Sequence, residues 1–340
     1  MRKSTFLLSV LGLTLSFTSC KTSHPTVDAT QPQTSYWEMV NQDTLAKHLK
    51  VITADDFEGR RTGEKGQKKA TDYIVNYYKQ RNISFPNQAD SYTQVVPASF
   101  MSKAQMKLKD SENIWAFIEG SEKPDEVLVI TAHYDHLGIL MGQIYNGADD
   151  NGSGTVAVME LARVFKSLAN EGIKPKRSVL FLHVTGEEFG LYGSRYYVEN
   201  PIIPLKNTIA NINIDMIGRK GKEYKGDSDY VYVVGADKLS LELKEMSEQA
   251  NKESVNLDLD YAYNAEDHPE QIYYRSDHYS FAKHKVPAMF YFNGTHEDYH
   301  LPGDTFDKID MHLLTQRTKL AFATAWKILN APERPKLIKP

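Results

Sequence analysis

Five segments of this chain place a histidine or a carboxylate after an apolar run or before a predicted helix. Any one of these residues has an ordinary structural explanation, such as an exposed turn or a helix N-cap. Five occurrences in one chain are hard to explain in that way, and together they predict a shared polar site. The side chains concerned are His133, Asp135, Asp149, Asp150, Glu187, Glu188, Asp215, His296 and His300.

Histidine nitrogen and carboxylate oxygen are the ligands of catalytic zinc, which also keeps one position open for water. A pair of such ions, about 3.5–4 Å apart, needs a bridging carboxylate as well. Asp150 can supply that bridge. His133 and Glu188 could serve one ion, and Asp215 or His300 could serve the other. The residue types therefore predict a site for two zinc ions.

Glu187 stands beside a predicted ligand and is not itself needed as one. Two adjacent residues at a strand end point in different directions, so Glu188 can bind metal while Glu187 faces a substrate. Glu187 could then take a proton from a metal-activated water and pass it to a leaving amine. Asp135, two residues after His133, is expected to accept a hydrogen bond from the imidazole of that ligand.

Alternating strands and helices must position these residues. Apolar strands separated by helices indicate one α/β domain with a doubly wound, mostly parallel (mixed) sheet and helices on both faces. Such a sheet forms its site at the carboxyl ends of its strands, where the residues above fall. The predicted strands are 113–118, 127–133, 178–184, 208–215, 230–234 and 286–292; the predicted helices are 64–81, 153–169, 190–199, 238–251, 276–284 and 311–330; and residues 85–112 are expected to be irregular, with an edge strand or hairpin.

These motifs resemble the co-catalytic two-zinc aminopeptidases. This family includes bacterial leucyl and Streptomyces-type aminopeptidases and is related to glutamate carboxypeptidase and glutaminyl cyclase. The similarity runs from residue 45 to residue 330 in the order of the family. It rests on His133-x-Asp135, Asp149-Asp150-Asn151-Gly152-Ser153-Gly154, Glu187-Glu188, Asp215-Met216-Ile217-Gly218 and Tyr299-His300-x-Pro302-x-Asp304.

The resemblance implies a zinc-peptidase fold, two Zn²⁺ per subunit and a metallo-exopeptidase, specifically an aminopeptidase acting on peptides with a free N-terminus. It implies a cis peptide at Asp150–Asn151, Glu187 as the general base, and Tyr299 as a donor to the tetrahedral oxyanion. The implied zinc ligands are His133, Asp150 (bridging), Glu188, Asp215 and His300.

A competing motif overlaps the last of these segments. His296-Glu297-Asp298-Tyr299-His300 matches the H-E-x-x-H pattern of single-zinc peptidases, which needs both histidines on one face of a helix. Asn293-Gly294 before it and Pro302-Gly303 after it predict a loop instead. This alternative would make His296 a ligand and Glu297 the base.

Other functions remain as alternatives. Carboxypeptidase or dipeptidase action would need a cation for the substrate carboxylate, and Arg219 and Arg275 lie near predicted rim loops. A complete two-metal ligand set disfavours glutaminyl cyclase, which uses one zinc. The presence of every ligand and the base disfavours a binding module with a dead site. The sequence contains no G-x-S-x-G or G-x-G-x-x-G motif.

The composition is that of an ordinary globular protein, with 340 residues, 41% apolar, 25% charged and a net charge of −4. No nucleic-acid partner is predicted, because the chain has no basic footprint. The basic cluster of Arg60, Arg61, Lys65, Lys68 and Lys69 is expected to be a solvated entry to a helix.

The N-terminus has the pattern of an export signal. Arg2 and Lys3 precede an apolar run that is too short to span a bilayer. The stretch 17–20, FTSC, resembles a bacterial lipobox, and Cys20 is the only cysteine of the chain. A plain signal peptide with an incidental cysteine is the alternative.

The expected organisation is a signal peptide at 1–19, a lipid-anchored flexible tether at 20–35 and a zinc peptidase domain at 36–332. The protein is thus expected to be an exported bacterial lipoprotein on the periplasmic face or the cell surface. Its membrane contact would come only through the lipid at Cys20.

Overall fold

A mixed sheet forms the centre of the structure, a computed structural model that describes Met1 and residues 35–101 and 107–338. Apart from Met1 and Ser35, the predicted signal peptide and tether, including Cys20, lie outside the described residues. The described strands are β1 Thr93–Val96, β2 Ser111–Ile118, β3 Lys123–His133, β4 Gly138–Leu140, β5 Gln143–Tyr145, β6 Arg177–Val184, β7 Thr208–Ile214, β8 Tyr230–Val234, β9 Asp258–Asp260 and β10 Ala288–Phe292.

The order of strands across this sheet is β1-β2-β6-β3-β7-β10-β8-β9, and β4 pairs separately with β5. The four central strands, β6, β3, β7 and β10, are parallel to their neighbours within that group. Antiparallel pairs join β2 to β6 and β8 to β10 at its two sides. The carboxyl ends of the four central strands therefore meet at one edge, as the sequence predicted for a mostly parallel, mixed sheet.

Helices cover both faces of the sheet. Leu128 and Ile130 of β3 belong to one apolar cluster, whereas Val127 and Val129 of the same strand belong to another. Because side chains alternate along a strand, each cluster lies on its own face. The described helices are α1 Gln42–Ile52, α2 Lys65–Gln80, α3 Ala98–Met101, α4 Gly154–Asn170, α5 Tyr192–Glu199, α6 Ala236–Leu239, α7 Leu241–Glu253, α8 His278–Lys283 and α9 Met311–Asn330.

Local sequence explains where several helices begin. Asn41 accepts a hydrogen bond from the backbone N–H of Thr44 at 2.8 Å, which caps α1. Asp310 caps α9 in the same way by accepting from the N–H of Leu313 at 3.0 Å. Such caps satisfy donors that the helix itself leaves unpaired.

The sequence predicted the main strands and helices but missed four elements: α1, the short helix α3, the β4–β5 hairpin and β9. Helix α1 buries Leu45, His48, Leu49 and Ile52, which have helical spacing. One member of that stripe is a histidine, so the apolar periodicity was incomplete. Strand β9 reads Asp-Leu-Asp and has no β-forming pattern of its own.

The interpretation of the basic cluster was wrong for Arg60, which is completely buried. Its guanidinium donates to the backbone carbonyls of Tyr134 (2.8 Å), Ile52 (3.0 Å), Asn146 (2.6 Å) and Gly147 (2.9 Å). Because four carbonyls replace the solvent around the charge, Arg60 can be a core residue. Among the described residues, no helix has the length and apolar character needed to cross a membrane.

Candidate metal centre

The structure brings all five predicted zinc ligands together at the carboxyl edge of the sheet. His133 is the last residue of β3, and Asp215 directly follows β7. Asp150 lies in the short helical turn Ala148–Ser153, immediately before α4. Glu188 and His300 lie in the loops that follow β6 and β10. The peptide bond between Asp150 and Asn151 is cis, as the family resemblance implied.

The closest contacts divide the ligands into two sets, one at each carboxylate oxygen of Asp150. His133 Nε2 is 3.3 Å from Asp150 Oδ1 and 3.2 Å from Asp215 Oδ1. His300 Nε2 is 3.1 Å from Asp150 Oδ2 and 3.0 Å from Glu188 Oε2. Each oxygen of Asp150 thus faces one histidine, and each of these histidines also faces one further carboxylate. This arrangement differs from the pairing of His133 with Glu188 considered from the sequence.

The donor set fits metal ions. Donor atoms of His133, Asp150 and Glu188 lie within 4.8 Å of one another, and so do those of His133, Glu187 and Asp215. Within the described chain, the buried Oδ2 of Asp150 makes no hydrogen bond, although His300 Nε2 is close to it. A buried carboxylate oxygen without a partner is costly, and a cation would satisfy it.

Electrostatic coupling between these groups shifts their pKa values strongly. Burial lowers the pKa of the His133 imidazole, but the charges of Asp215 and Glu187 outweigh burial and hold it well above its usual range. Burial likewise opposes protonation of His300, yet Asp150 and Glu188 raise its pKa to about 10. Zinc would replace these protons, because imidazole binds the metal in its neutral form.

Glu187 is partly exposed beside the two sets of ligands. Burial raises the pKa of its carboxyl well above the usual range; His133 opposes this shift, while Glu188 and Asp277 add to it. A carboxyl with raised proton affinity at the wall of a cleft is suited to accept and release a proton.

Asp135 contacts His133 mainly through its backbone. The Nδ1 of His133 is 3.1 Å from the carbonyl oxygen of Asp135 and 3.8 Å from its carboxylate Oδ1. The carboxylate instead accepts from the Thr62 hydroxyl at 2.6 Å and from the backbone N–H of Glu187 at 3.4 Å. Asp135 therefore touches both a predicted ligand and the backbone of the predicted base.

A cleft opens over the ligands and has one apolar wall, formed by Met216, Ile272, Phe290 and Phe292. Tyr299 lines the same cleft, and its ring stacks on that of His300 with centroids 3.9 Å apart. Burial raises the pKa of the Tyr299 hydroxyl above its usual range, so this group keeps its proton and can donate a hydrogen bond.

The H-E-x-x-H segment does not form a metal site of its own. Residues 293–300 are loop and turn rather than helix. His296 is buried with its Nε2 3.3 Å from Asp149 Oδ2, whereas the side chain of Glu297 is 75% exposed and pairs with Arg219 at 3.1 Å. The two histidines therefore serve different carboxylates, and the exposed carboxylate of Glu297 pairs with Arg219 rather than with a predicted ligand.

Three residues that the sequence did not assign support the ligands directly. Ser276 donates to Asp215 Oδ2 at 2.7 Å. Asp304 accepts from the backbone N–H groups of Asp149 and Asp150 at 3.0 Å. His136, three residues after His133, contacts Glu188. Spacing was the only signal for His136.

The two arginines considered as clamps have different surroundings. Arg219 is nearly buried and is held by Glu297 and Asp298, each at 3.1 Å. Arg275 lines the cleft, pairs with Glu270 at 2.8 Å and lies 3.4 Å from the Tyr299 hydroxyl. Only Arg275 of these two is placed to meet a substrate.

Comparison with known proteins identifies one family. The sequence profile of peptidase family M28 matches residues 113–325. A probable zinc metalloprotease of Pyrenophora tritici-repentis (strain Pt-1C-BFP) is 27% identical over 340 residues, covering 86% of this chain and 67% of the relative. Aminopeptidase YwaD of Bacillus subtilis (strain 168) is 29% identical over 251 residues, covering 70% of this chain and 50% of that protein.

A solved structure shares the fold. The LapA aminopeptidase of Legionella pneumophila superposes with a TM-score of 0.67 at 22% identity, covering 88% of this chain and 75% of LapA. This likeness confirms the α/β fold with its mixed sheet and flanking helices.

Proposed function

This chain belongs to peptidase family M28 and is a zinc-dependent metallopeptidase, and from that premise we propose that it uses two zinc ions to remove the N-terminal residue of peptides. One observation carries the proposal: one oxygen of Asp150 faces His133, which also faces Asp215, and the other faces His300, which also faces Glu188. A bridging carboxylate between two such sets is what a paired-metal hydrolytic site requires.

The chain's own residues then have distinct tasks. The two ions, when bound, supply Lewis acidity toward the scissile carbonyl and lower the pKa of water. The carboxylate of Glu187 takes a proton from the attacking water and delivers it to the leaving amine. The hydroxyl of Tyr299, which keeps its proton, donates a hydrogen bond to the developing oxyanion.

The cleft favours a substrate with a free N-terminus. Its acidic members, Glu187 and Asp215, attract a protonated α-amino group, and Arg275 is the one lysine or arginine that lines it among the described residues. The apolar wall of Met216, Ile272, Phe290 and Phe292 suits an apolar first side chain. The names of the aminopeptidase relatives support the same direction of cleavage.

One peptide in three forms tests this function. The free peptide, an N-acetylated copy and a C-amidated copy, each starting with leucine, are incubated with the protein, and the products are weighed by mass spectrometry. We expect the free and C-amidated peptides to lose N-terminal residues, while the N-acetylated peptide survives. Survival of the C-amidated peptide instead would indicate a carboxypeptidase.

Arg275 favours a second candidate, a dipeptidase or carboxypeptidase of the same family. Its guanidinium lines the cleft and could bind the carboxylate of a short substrate. Under that alternative, Arg275→Gln would raise KM for dipeptides but not for their C-amidated forms. Under the aminopeptidase proposal, the two kinds of substrate respond alike.

The number of metal ions is measured separately. We expect about two zinc ions per chain in the purified protein by atomic emission. We also expect Asp150→Ala to lose zinc from both positions, because Asp150 contacts both sets of ligands. A single ion retained at full affinity in this variant would contradict the bridging role.

We further propose that the protein is exported and anchored by lipid at Cys20, with no nucleic-acid partner. The lipobox-like residues 17–20 support this anchor. Cells expressing the full chain are grown with an alkyne-tagged fatty acid, and the wild-type protein is expected to carry the label. Labelling that persists in Cys20→Ser would refute the anchor.

A further inference from the structure

His136 is a buried histidine whose imidazole has no part in the proposed reaction. Its side chain is completely inaccessible to solvent, and its Nδ1 lies 2.5 Å from Oε1 of Glu188. Among residues 35–101 and 107–338, its Nε2 has no hydrogen-bond partner. The imidazole therefore directs its one hydrogen bond to a predicted zinc ligand.

The two oxygens of Glu188 have different neighbours. Oε2 faces the set shared with His300, whose Nε2 lies 3.0 Å away. Oε1 accepts the hydrogen bond of His136. A carboxylate held at one oxygen cannot rotate freely about its last bond, so this hydrogen bond determines which oxygen is presented to a metal ion.

Two neighbouring segments, one at Arg60 and one at Gly147, hold His136 in position. Its backbone N–H donates to the carbonyl of Arg60 at 3.2 Å. On the other side, a Cβ at Gly147 would lie 2.5 Å from ring carbons of His136, and Gly147 has a φ of +55°. Gly147 therefore leaves room for the imidazole beside the turn that carries Asp150.

His136 lies close to one set of ligands and not to the other. Its Nδ1 is 3.9 Å from the Oδ2 of Asp150, the oxygen that faces His300. No hydrogen bond or ion pair joins His136 to His133 or Asp215 among the described residues. By contrast, within the described parts of the chain the buried His183 hydrogen-bonds only to the hydroxyl of Tyr78, which is not part of the site.

We propose that His136 is a positioning residue that holds Glu188 for one zinc ion, the ion shared by Glu188 and His300. The affinity for the ion at His133 and Asp215 should depend on His136 far less. This inference rests on the two-metal function proposed above. Partners that orient ligands in this way typically change metal affinity about 10- to 100-fold.

Substitutions at His136 test the inference by counting metal ions rather than by activity. His136→Asn keeps an N–H donor close to the place of Nδ1, whereas His136→Leu removes every donor. His183→Leu is the matched control, because it also removes a buried imidazole. Each full-length, zinc-loaded protein is dialysed against a series of chelator-buffered zinc concentrations. Zinc per chain is then measured by atomic emission, and the d–d absorption is recorded after Co²⁺ substitution.

We expect His136→Leu to bind one of its two zinc ions about 10- to 100-fold more weakly than the wild type, so that this ion is lost at a correspondingly higher free zinc concentration. Its other ion should stay within about threefold of wild type, as should both ions of His136→Asn and His183→Leu. The Co²⁺ spectrum of His136→Leu should change for one ion only. If His136→Leu does not fold, His136→Gln takes its place. The glutamine amide lies near the position of Nε2, so this variant also lacks a donor at the position of Nδ1.

Three results would overturn the inference. Two ions bound at wild-type affinity in His136→Leu would remove the role of His136 and leave the two-metal function intact. Equal weakening of both ions, or a His136→Asn variant as deficient as His136→Leu, would show that the imidazole is only a packing element. Fewer than two zinc ions in the wild-type protein would overturn the proposed function, and this inference with it.

Discussion

Glu187 and Glu188 are neighbours in the chain, but their surroundings shift the pKa values of their carboxyl groups in opposite directions. Burial raises the pKa of Glu187 well above its usual range. Burial and Asp150 also raise that of Glu188, but His136 and His300 outweigh them and lower it. Glu188 thus stays ionised, as a ligand must, whereas Glu187 can hold a proton, as a general acid–base must.

Glu187→Gln is expected to lower kcat about 10²- to 10⁴-fold, the usual contribution of a general base. Zinc content should not change, because glutamine has the same shape and Glu187 is not a proposed ligand. Steady-state kinetics on a leucyl substrate, together with atomic emission, measures both quantities.

Glu297→Gln is the matched control for that variant. Its carboxylate is exposed and pairs with Arg219, so kcat should stay within about twofold of wild type. A large loss in Glu297→Gln with full activity in Glu187→Gln would restore the single-zinc alternative.

Between elements, the buried Arg60 is a polar link next to the site. Its guanidinium donates hydrogen bonds to the carbonyl of Ile52, the last residue of α1, and to that of Tyr134, which follows β3. It also donates to the carbonyls of Asn146 and Gly147, which precede the turn that carries Asp150. Burial lowers the pKa of Arg60, to about 10, so the group still carries its charge at neutral pH. One side chain thus holds the segments that carry His133 and Asp150 in register.

Arg60→Met is expected to lower the free energy of unfolding by about 3 kcal/mol, because buried carbonyls lose their donor. Urea denaturation measures this change. Arg334→Met removes one exposed hydrogen bond, to the carbonyl of Lys206, and should change stability by less than about 0.5 kcal/mol. Equal effects of the two substitutions would show that the four contacts of Arg60 contribute little.

The contact between β6 and α2 should make stability depend on pH. His183 of β6 is paired with the Tyr78 hydroxyl of α2 at 2.7 Å, and burial lowers the pKa of His183 to about 3. Below its ordinary pKa of about 6.5, the unfolded chain binds a proton that the folded chain does not. Stability is therefore lost as the pH falls from about 6.5 toward 3, with a slope of up to about 1.4 kcal/mol per pH unit.

His183→Gln removes this titration and should flatten the stability profile between pH 7 and pH 5. Both proteins are unfolded with urea in excess chelator, so that metal binding does not add its own pH dependence. Parallel profiles for wild type and variant would show that His183 does not titrate with the predicted sign.

Across the whole molecule, the predicted ligands come from five segments of the chain, the first at His133 and the last at His300. In the unfolded chain these side chains are far apart, so metal binds the folded state in preference. Metal binding should therefore stabilise the complete domain and not only the loops around the site.

Removal of metal by a chelator is expected to lower Tm by several degrees, and added zinc should restore it. At a free zinc concentration 100 times Kd, one site contributes about 2.7 kcal/mol to stability. Differential scanning calorimetry measures the shift. Asp150→Ala should show little response to zinc, and identical Tm values for wild type with and without zinc would refute the coupling.

Sequence by itself determined which strands carry the site, because strand patterns are local and the carboxyl ends of parallel strands meet at one edge. His133, Glu188 and Asp215 could be named as ligands on that ground, and the family resemblance added Tyr299 and the cis peptide. These inferences needed only the order of elements along the chain.

Tertiary structure alone decided how Asp150 divides its oxygens between the two sets, that Arg60 is a core residue, and that His136 holds Glu188. Asp135 was expected to accept a hydrogen bond from the imidazole of His133, and only the structure shows that the nearer acceptor is its backbone carbonyl. Each of these outcomes depends on the direction of a side chain and on burial by segments distant in sequence. Such packing is absent from any local pattern, so only the folded chain could reveal it.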